Sequence, residues 1–297
     1  MYKRQYHLLF NNSTGALITG LLSILFIEVA AWNSYVLCES IYYSFTCFSI
    51  YLLTKLYLSN SNSYKDWLSG FSILFFTILI KPTGIALLGT LSFILLRNLI
   101  KQIKSYSLRF ILLISGIGIL LILANKMLVT YYIIENYMAG EVVHGVQQFS
   151  GSSYDPLLMN VPENIFIPSP KNEPLIKIIL FIINNPWYWL KLTGTKIFYF
   201  LVHIRPFWSW GHNLFCLAVL IPLYSFGIYG LLKTKLHSSF LSFVLLFIGL
   251  HSIIIGTTSV DWDGRFLMPV FPLLFIIGVS GFLTFYLKIK KINFGKV

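Results

Sequence analysis

The strongest constraint on the fold is the stretch from 266 to 287, which holds 22 residues without a charged side chain. A helix of about 20 apolar residues is long enough to cross the roughly 30 Å of hydrocarbon in a bilayer. Hydrophobic residues make up 57% of the chain, which is more apolar surface than a soluble domain could bury. The sequence therefore predicts an all-α, polytopic membrane protein.

Five further apolar runs between polar breaks approach or reach the length of a full crossing. With the last run they predict six transmembrane helices, at 16–35, 36–58, 108–128, 214–232, 240–256 and 266–287.

The segment 67–99 is also apolar, but "ILIKPTGIALL" interrupts it with Lys81, Pro82 and Gly84. Each remaining piece has about 14 to 15 residues and would span only about 21 Å as a helix. A lysine beside a proline at membrane depth needs protein or water around it. We therefore predict a broken helix or a helical hairpin with its break at 81–84.

The distribution of charge predicts the orientation. If both termini are cytoplasmic, about 14 of the 22 basic residues fall on the cytoplasmic side, as the positive-inside rule requires. The same orientation puts every acidic residue except Asp66 in the outer half or outside. Both termini are therefore predicted to be cytoplasmic.

Residues 129–213 form a long external segment with seven of the eleven prolines. A structureless loop of that length would be unusual, and its broken aromatic pattern suits helices lying along the outer interface. A seventh crossing at 187–204 is the alternative. The predicted organisation is an N-terminal bundle at 1–128, this extracytoplasmic loop, and C-terminal transmembrane helices at 214–297.

The net charge of +12 does not indicate nucleic-acid binding, because the basic residues cluster at the ends of apolar runs. The three cysteines have no metal-ligand spacing. Phosphate-loop, hydrolase and zinc-protease motifs are absent from the sequence, so no cofactor is evident. Membrane lipids are the expected surroundings.

Several ionisable residues fall on the predicted outer side. Lys81 beside a Pro-Gly break favours a phosphate contact, with a snorkelling cation as the alternative. Arg265 precedes "FLMPVFP", where its guanidinium can reach a headgroup phosphate with two hydrogen bonds. Glu39 has two equal interpretations, a functional carboxylate on the outer side or a carboxylate that is simply stabilised at a helix N-terminus. Such convergence is what a lipid-linked anion would need.

Asp261 and Asp263 form either an external turn or a carboxylate pair. Two carboxylates are too few ligands to predict a divalent metal, without excluding one. The external loop adds Glu141 and His144 between glycines. Together with Arg205 and His212, His144 is predicted to face the acceptor side.

Four stretches resemble segments of the GT-C glycosyltransferases, the polytopic enzymes that include protein O-mannosyltransferases and bacterial aminoarabinose transferases. They are, in chain order, "WNSYVLCESIYYSFTCFSIYLL", "GFSILFFTILIKPTGIALL", "NNPWYWLKLTGTKIFYFLVHIRPFWSWGHN" and "GRFLMPVFPLLFIIG".

The resemblance implies a multi-pass protein of the bacterial cytoplasmic membrane. It would transfer a hexosyl or pentosyl group from a polyprenyl-phosphate carrier to an extracytoplasmic acceptor. Lys81 and Arg265 would then meet the lipid phosphate, and Glu39 would lie near the donor groove. An acidic side chain would take the acceptor proton while cations stabilise the departing phosphate.

Members of that family usually carry an acidic pair in a first external loop, before the helix at which this chain starts to match. The expectation is therefore a fragment, an inactive protein, or a protein completed by a second polypeptide. Asp261, Asp263 and Glu141 are the candidate substitutes for the catalytic acid. Two other functional classes stay open, a transporter or lipid flippase and a non-catalytic partner subunit.

Overall fold

The computed structural model describes residues 2–32, 38–58, 64–128, 132–149, 151–234 and 238–294. These residues form thirteen α-helices, and among them only two isolated β-bridges occur. The helices are α1 Tyr2–Phe10, α2 Ser13–Leu25, α3 Ile27–Trp32, α4 Cys38–Leu58, α5 Tyr64–Ile80, α6 Ile85–Gln102, α7 Tyr106–Leu128, α8 Ile133–Met138, α9 Pro174–Asn184, α10 Pro186–Val202, α11 Trp210–Lys233, α12 Ser238–Thr257 and α13 Phe271–Phe294. The predicted all-α class is confirmed for this part of the chain.

Three stretches of helix are long and apolar enough to cross a membrane, Trp210–Lys233, Phe240–Thr257 and Arg265–Lys290. They coincide with the last three predicted crossings, so the membrane character of the chain is supported. The described residues do not support the full count of six.

The first predicted crossing, 16–35, is not one continuous helix. α2 has 13 residues, about 20 Å of helix, and Phe26 after it has extended backbone angles. The Phe26 ring is 3% exposed and packs edge-on against Phe271, with ring centroids 4.9 Å apart. A straight helix would give up this packing, and residues 33–35 of this predicted crossing lie outside the described residues.

The chain divides into two compact units. The first consists of residues 1–91, 211–251 and 265–297, and the second of residues 92–210 and 252–264. This division follows contacts between residues, whereas the predicted division at 128 and 213 follows membrane depth. The latter stays a prediction.

In the first unit, α11 and α13 approach each other closely through glycines. A Cβ on Gly281 would lie 1.8 Å from the Phe226 carbonyl oxygen, and one on Gly230 would lie 2.8 Å from the Ile277 carbonyl oxygen. Small residues allow this backbone contact, which is a common way for membrane helices to associate. The glycines of "FGIYG" and "IIGVSG" therefore define the α11–α13 interface.

In the second unit, α9 packs against α7, α8 and α10. Its first turn is capped from α7, because the Leu175 N–H donates to Asn125 Oδ1 at 2.9 Å. Pro174 and Pro186 begin α9 and α10 at positions where a helix needs no N–H donor. Asn125 and the two prolines thus fix where α9 and α10 begin.

Candidate functional site

Lys81 lies at a break between two helices of the first unit. Pro82 has no N–H to continue the ladder, so α5 ends at Ile80 and a 3-10 turn, Pro82–Gly84, leads into α6. The Gly84 N–H closes the turn on the Lys81 carbonyl at 2.9 Å. The half-buried Lys81 ammonium lies 4.6 Å from the centre of the Phe266 ring.

Arg265 approaches the same ring. It begins the 3-10 segment Arg265–Val270, and its guanidinium carbon lies 5.7 Å from the Phe266 centroid. Both residues are half-buried. Because both charged groups lie near the same ring centre, the Lys81 ammonium and the Arg265 guanidinium carbon are at most about 10 Å apart. We call Lys81, Arg265 and Phe266 the Phe266 site.

Neighbouring side chains hold the Phe266 site in place. His251 Nε2 is 2.9 Å from the Phe266 carbonyl oxygen, so the ring nitrogen donates a hydrogen bond to it. The Tyr42 ring lies 5.8 Å from the Lys81 ammonium, and the Tyr42 hydroxyl accepts from Thr83 at 3.4 Å. The Phe266 site is therefore built from four elements: the helix break at 81–84, α4, α12 and the start of the last apolar segment.

The electrostatics of the Phe266 site suit an anion. An aromatic face offsets part of the cost of placing cations near apolar surface. An ammonium and a guanidinium can each donate charge-assisted hydrogen bonds to a phosphate. Sequence reasoning selected both cations but gave no sign that they share Phe266.

Glu39 is the second residue of α4, and its side chain is outside the described part of the structure. His212, predicted to face the acceptor side, is half-buried in the first unit, and its Nε2 lies 2.6 Å from a carboxylate oxygen of Glu28. Glu28 thus has a partner that the sequence could not name, because 184 residues separate the two. The roles predicted for Glu39 and His212 stay predictions.

Arg205 is buried in the second unit, with 1% of its surface exposed. Its Nε and Nη2 donate to the Asp261 carbonyl at 3.1 and 2.8 Å, and its Nη1 donates to the carbonyls of Tyr199 and Ile204, each at 2.8 Å. An Asp261 carboxylate oxygen lies 3.7 Å from Nη2. In this arrangement the guanidinium fastens the end of α10 to the segment 258–264.

The two aspartates of this segment differ in their surroundings. Burial raises the pKa of Asp261 to about 6; Arg205 opposes this shift, and Asp263 adds to it. Asp261 is enclosed whereas Asp263 is half-exposed. The geometry thus gives Asp261 a partner within the protein, and the catalytic role considered for both aspartates stays a prediction.

Glu141 is buried and organises its own loop. Its carboxylate accepts hydrogen bonds from the backbone N–H groups of Gly145 at 2.8 Å and Gln147 at 3.2 Å. The His144 side chain is 75% exposed, and its Nδ1 lies 4.0 Å from the Glu141 carboxylate. Glu141 therefore holds a turn that presents His144 to the surroundings.

Lys196 is a buried cation to which sequence reasoning gave no role. Its ammonium donates to the Thr258 carbonyl at 2.6 Å and lies 4.4 Å from the centre of the Tyr137 ring. Burial lowers the pKa of Lys196 to about 7, and nearby Glu141 partly opposes the shift. The only signal in the sequence was that Lys196 is one of two lysines within the aromatic helix α10.

Comparison with known proteins identifies no relative. The chain matches no protein-family model, and neither the curated proteins nor the solved structures yield a significant match.

Proposed function

We propose that the chain is a membrane glycosyltransferase that moves a hexosyl or pentosyl group from a polyprenyl-phosphate carrier to an extracytoplasmic acceptor. The observation that carries the proposal is the Phe266 site, where Lys81 and Arg265 lie against one ring. Both cations border apolar helices, so a lipid chain and its phosphate could be held by adjacent parts of the protein.

The chemistry that these residues would supply is electrostatic. Transfer of the sugar leaves negative charge on the carrier phosphate, and positioned cations stabilise that charge. An ammonium and a guanidinium differ usefully here, because arginine can bind a phosphate with two parallel hydrogen bonds while lysine acts as a point charge. The acceptor proton would pass to a carboxylate, for which Asp261, Asp263 and Glu141 are the candidates.

Six crossings, with both termini in the cytoplasm of a bacterial cell and the site on the extracytoplasmic face, complete the proposal. The three long apolar helices and the one-sided distribution of basic residues support it. Reporter fusions behind 128, 213 and 290 would test it, with an active periplasmic reporter expected only at the first two positions.

The binding experiment uses the full chain in phosphatidylcholine nanodiscs, with undecaprenyl phosphate and neutral undecaprenol as probes. We expect a clear preference for the phosphate. Lys81→Met and Arg265→Met should each weaken its binding by about tenfold, since a charge-assisted hydrogen bond contributes about 1.5 kcal/mol or more. Arg4→Met and Lys171→Met remove exposed cations and should change little.

Equal binding of the two probes, or unchanged phosphate binding in the Lys81→Met/Arg265→Met double variant, would refute the site. Sugar transfer from a radiolabelled undecaprenyl-phosphate sugar then tests the reaction.

The broken helix at 81–84 is a device that transporters also use, so a flippase is the second candidate. Movement of the lipid across proteoliposomes without sugar transfer would favour it.

A further inference from the structure

A polar pocket lies in the second unit, outside the residues assigned so far. It has a volume of about 390 Å³ and is half-open to the surroundings. Its apolar lining includes Val142, Leu158 and Met159, and its polar lining consists of Asp155, Asn160 and Lys191. We call this the loop pocket. Its volume lies within the range of pockets that bind small molecules.

The wall of the loop pocket is fixed by backbone pairing. The Val142 N–H donates to the Leu157 carbonyl and the Met159 N–H donates to the Gly140 carbonyl, each at 2.9 Å. Gly140 has a φ of +67°, and a Cβ there would lie 2.2 Å from the Met159 carbonyl oxygen. Only glycine suits this position, so the two segments lie in direct backbone contact.

The other element that lines the loop pocket is α10, which contributes Lys191 next to the buried Leu192. The helix is anchored one turn earlier, because the Tyr188 hydroxyl donates to the Tyr137 carbonyl at 2.6 Å. The pocket thus combines a paired backbone segment with an anchored helix, two elements that hold polar groups in defined positions.

The three polar side chains are exposed, and among the described residues none of them forms a hydrogen bond or ion pair with another. Asp155 can only accept hydrogen bonds, Lys191 can only donate them, and Asn160 can do both. A simple anion would be repelled by Asp155, and a simple cation by Lys191. A hydroxyl group donates and accepts at once, so a ligand with several hydroxyls can satisfy all three side chains.

We propose that the loop pocket binds a neutral, hydroxyl-rich ligand of monosaccharide size. This inference rests on the chemistry of the pocket alone and goes beyond the proposed function. Val142, Leu158 and Met159 would contact the C–H faces of the sugar while the polar groups meet its hydroxyls.

The test is saturation-transfer NMR on the full chain in phosphatidylcholine nanodiscs, with methyl α-glucopyranoside as the probe. Acetate and choline serve as the anionic and cationic comparisons. We expect saturation to reach the glucoside and not the two ions. An Asp155→Asn/Lys191→Met variant should bind the glucoside about tenfold more weakly, because two hydrogen-bonding groups are changed.

A matched control, Glu163→Gln/Lys171→Met, makes the same change of charge at exposed residues away from the pocket and should leave the signal intact. The inference is overturned if the glucoside gives no signal with the wild-type chain. It is also overturned if the pocket variant binds as well as the control, or if acetate or choline binds equally well. None of these readouts requires sugar transfer or binding of undecaprenyl phosphate, so failure of the pocket and failure of the proposed function are separately visible.

Discussion

Replacement of Arg205 by methionine should destabilise the second unit by about 3 to 5 kcal/mol, the cost of removing one member of a buried ion pair. The guanidinium is buried and makes four hydrogen bonds to backbone carbonyls. Methionine fills much of the volume but donates nothing. The carbonyls of Tyr199 and Ile204 would each lose a donor, and Asp261 would lose its counter-ion.

The loss should depend on pH because of Asp261, whose pKa is raised to about 6. Well below pH 6 the carboxyl is neutral in the folded chain and needs no counter-ion, so the substitution costs less. Above pH 6 the carboxylate is charged in the wild-type chain, and because Arg205 lowers the pKa of Asp261, the substitution raises that pKa further; the cost of the substitution therefore grows as pH rises above 6. In the wild-type chain the same raised pKa means that the contribution of Asp261 to stability falls as pH rises from about 4 to about 6.

The assay is equilibrium unfolding in mixed micelles, followed by tryptophan fluorescence. Trp208 is a direct reporter, because the Arg205 guanidinium lies 5.4 Å from its ring. Arg4→Met, an exposed arginine, should change the free energy of unfolding by less than about 0.5 kcal/mol. A double-mutant cycle with Asp261→Asn isolates the ion pair from the hydrogen bonds to carbonyls.

A loss of less than about 1 kcal/mol above pH 6 would show that the buried-pair reasoning is wrong. Equal losses on both sides of pH 6 would remove the role assigned to the Asp261 carboxylate.

Three further substitutions test separate parts of the structure. Burial lowers the pKa of Lys196 to about 7 in the folded chain, whereas its ordinary value is 10.5, so between these two pH values the unfolded chain binds more protons than the folded chain. The free energy of unfolding should therefore rise with pH in this window. Lys196→Met should abolish that rise in unfolding titrations. Gly281→Ala should disrupt the α11–α13 contact and lower thermal stability, whereas Gly249→Ala, whose Cβ meets no atom within 4 Å, should be neutral or stabilising. Gly264 has a φ of +78°, and a Cβ there would lie 2.1 Å from His203 Cε1. Gly264→Ala should therefore destabilise the second unit by more than about 1 kcal/mol in the same unfolding assay. An unchanged free energy of unfolding would contradict the contact.

The helical class and the last three apolar helices were predictable because they depend on local composition. A run of apolar residues such as 266–287 has few alternatives to a helix, whatever its neighbours are. The prediction from composition fails at Phe26, because the apolar run continues past Leu25 although α2 ends there. The backbone leaves the helix there to pack the Phe26 ring against Phe271, a contact between residues far apart in sequence.

For the candidate site, residue type was enough to select Lys81 and Arg265, because charges beside apolar segments are costly and few. What joins them is the Phe266 ring, and the distances to that ring exist only once α5, α6 and the last segment have packed. Likewise, the sequence alone indicated Arg205 and Asp261 only as separate polar residues. Burial turned them into a pair, because a charge removed from water must find its partner within the fold.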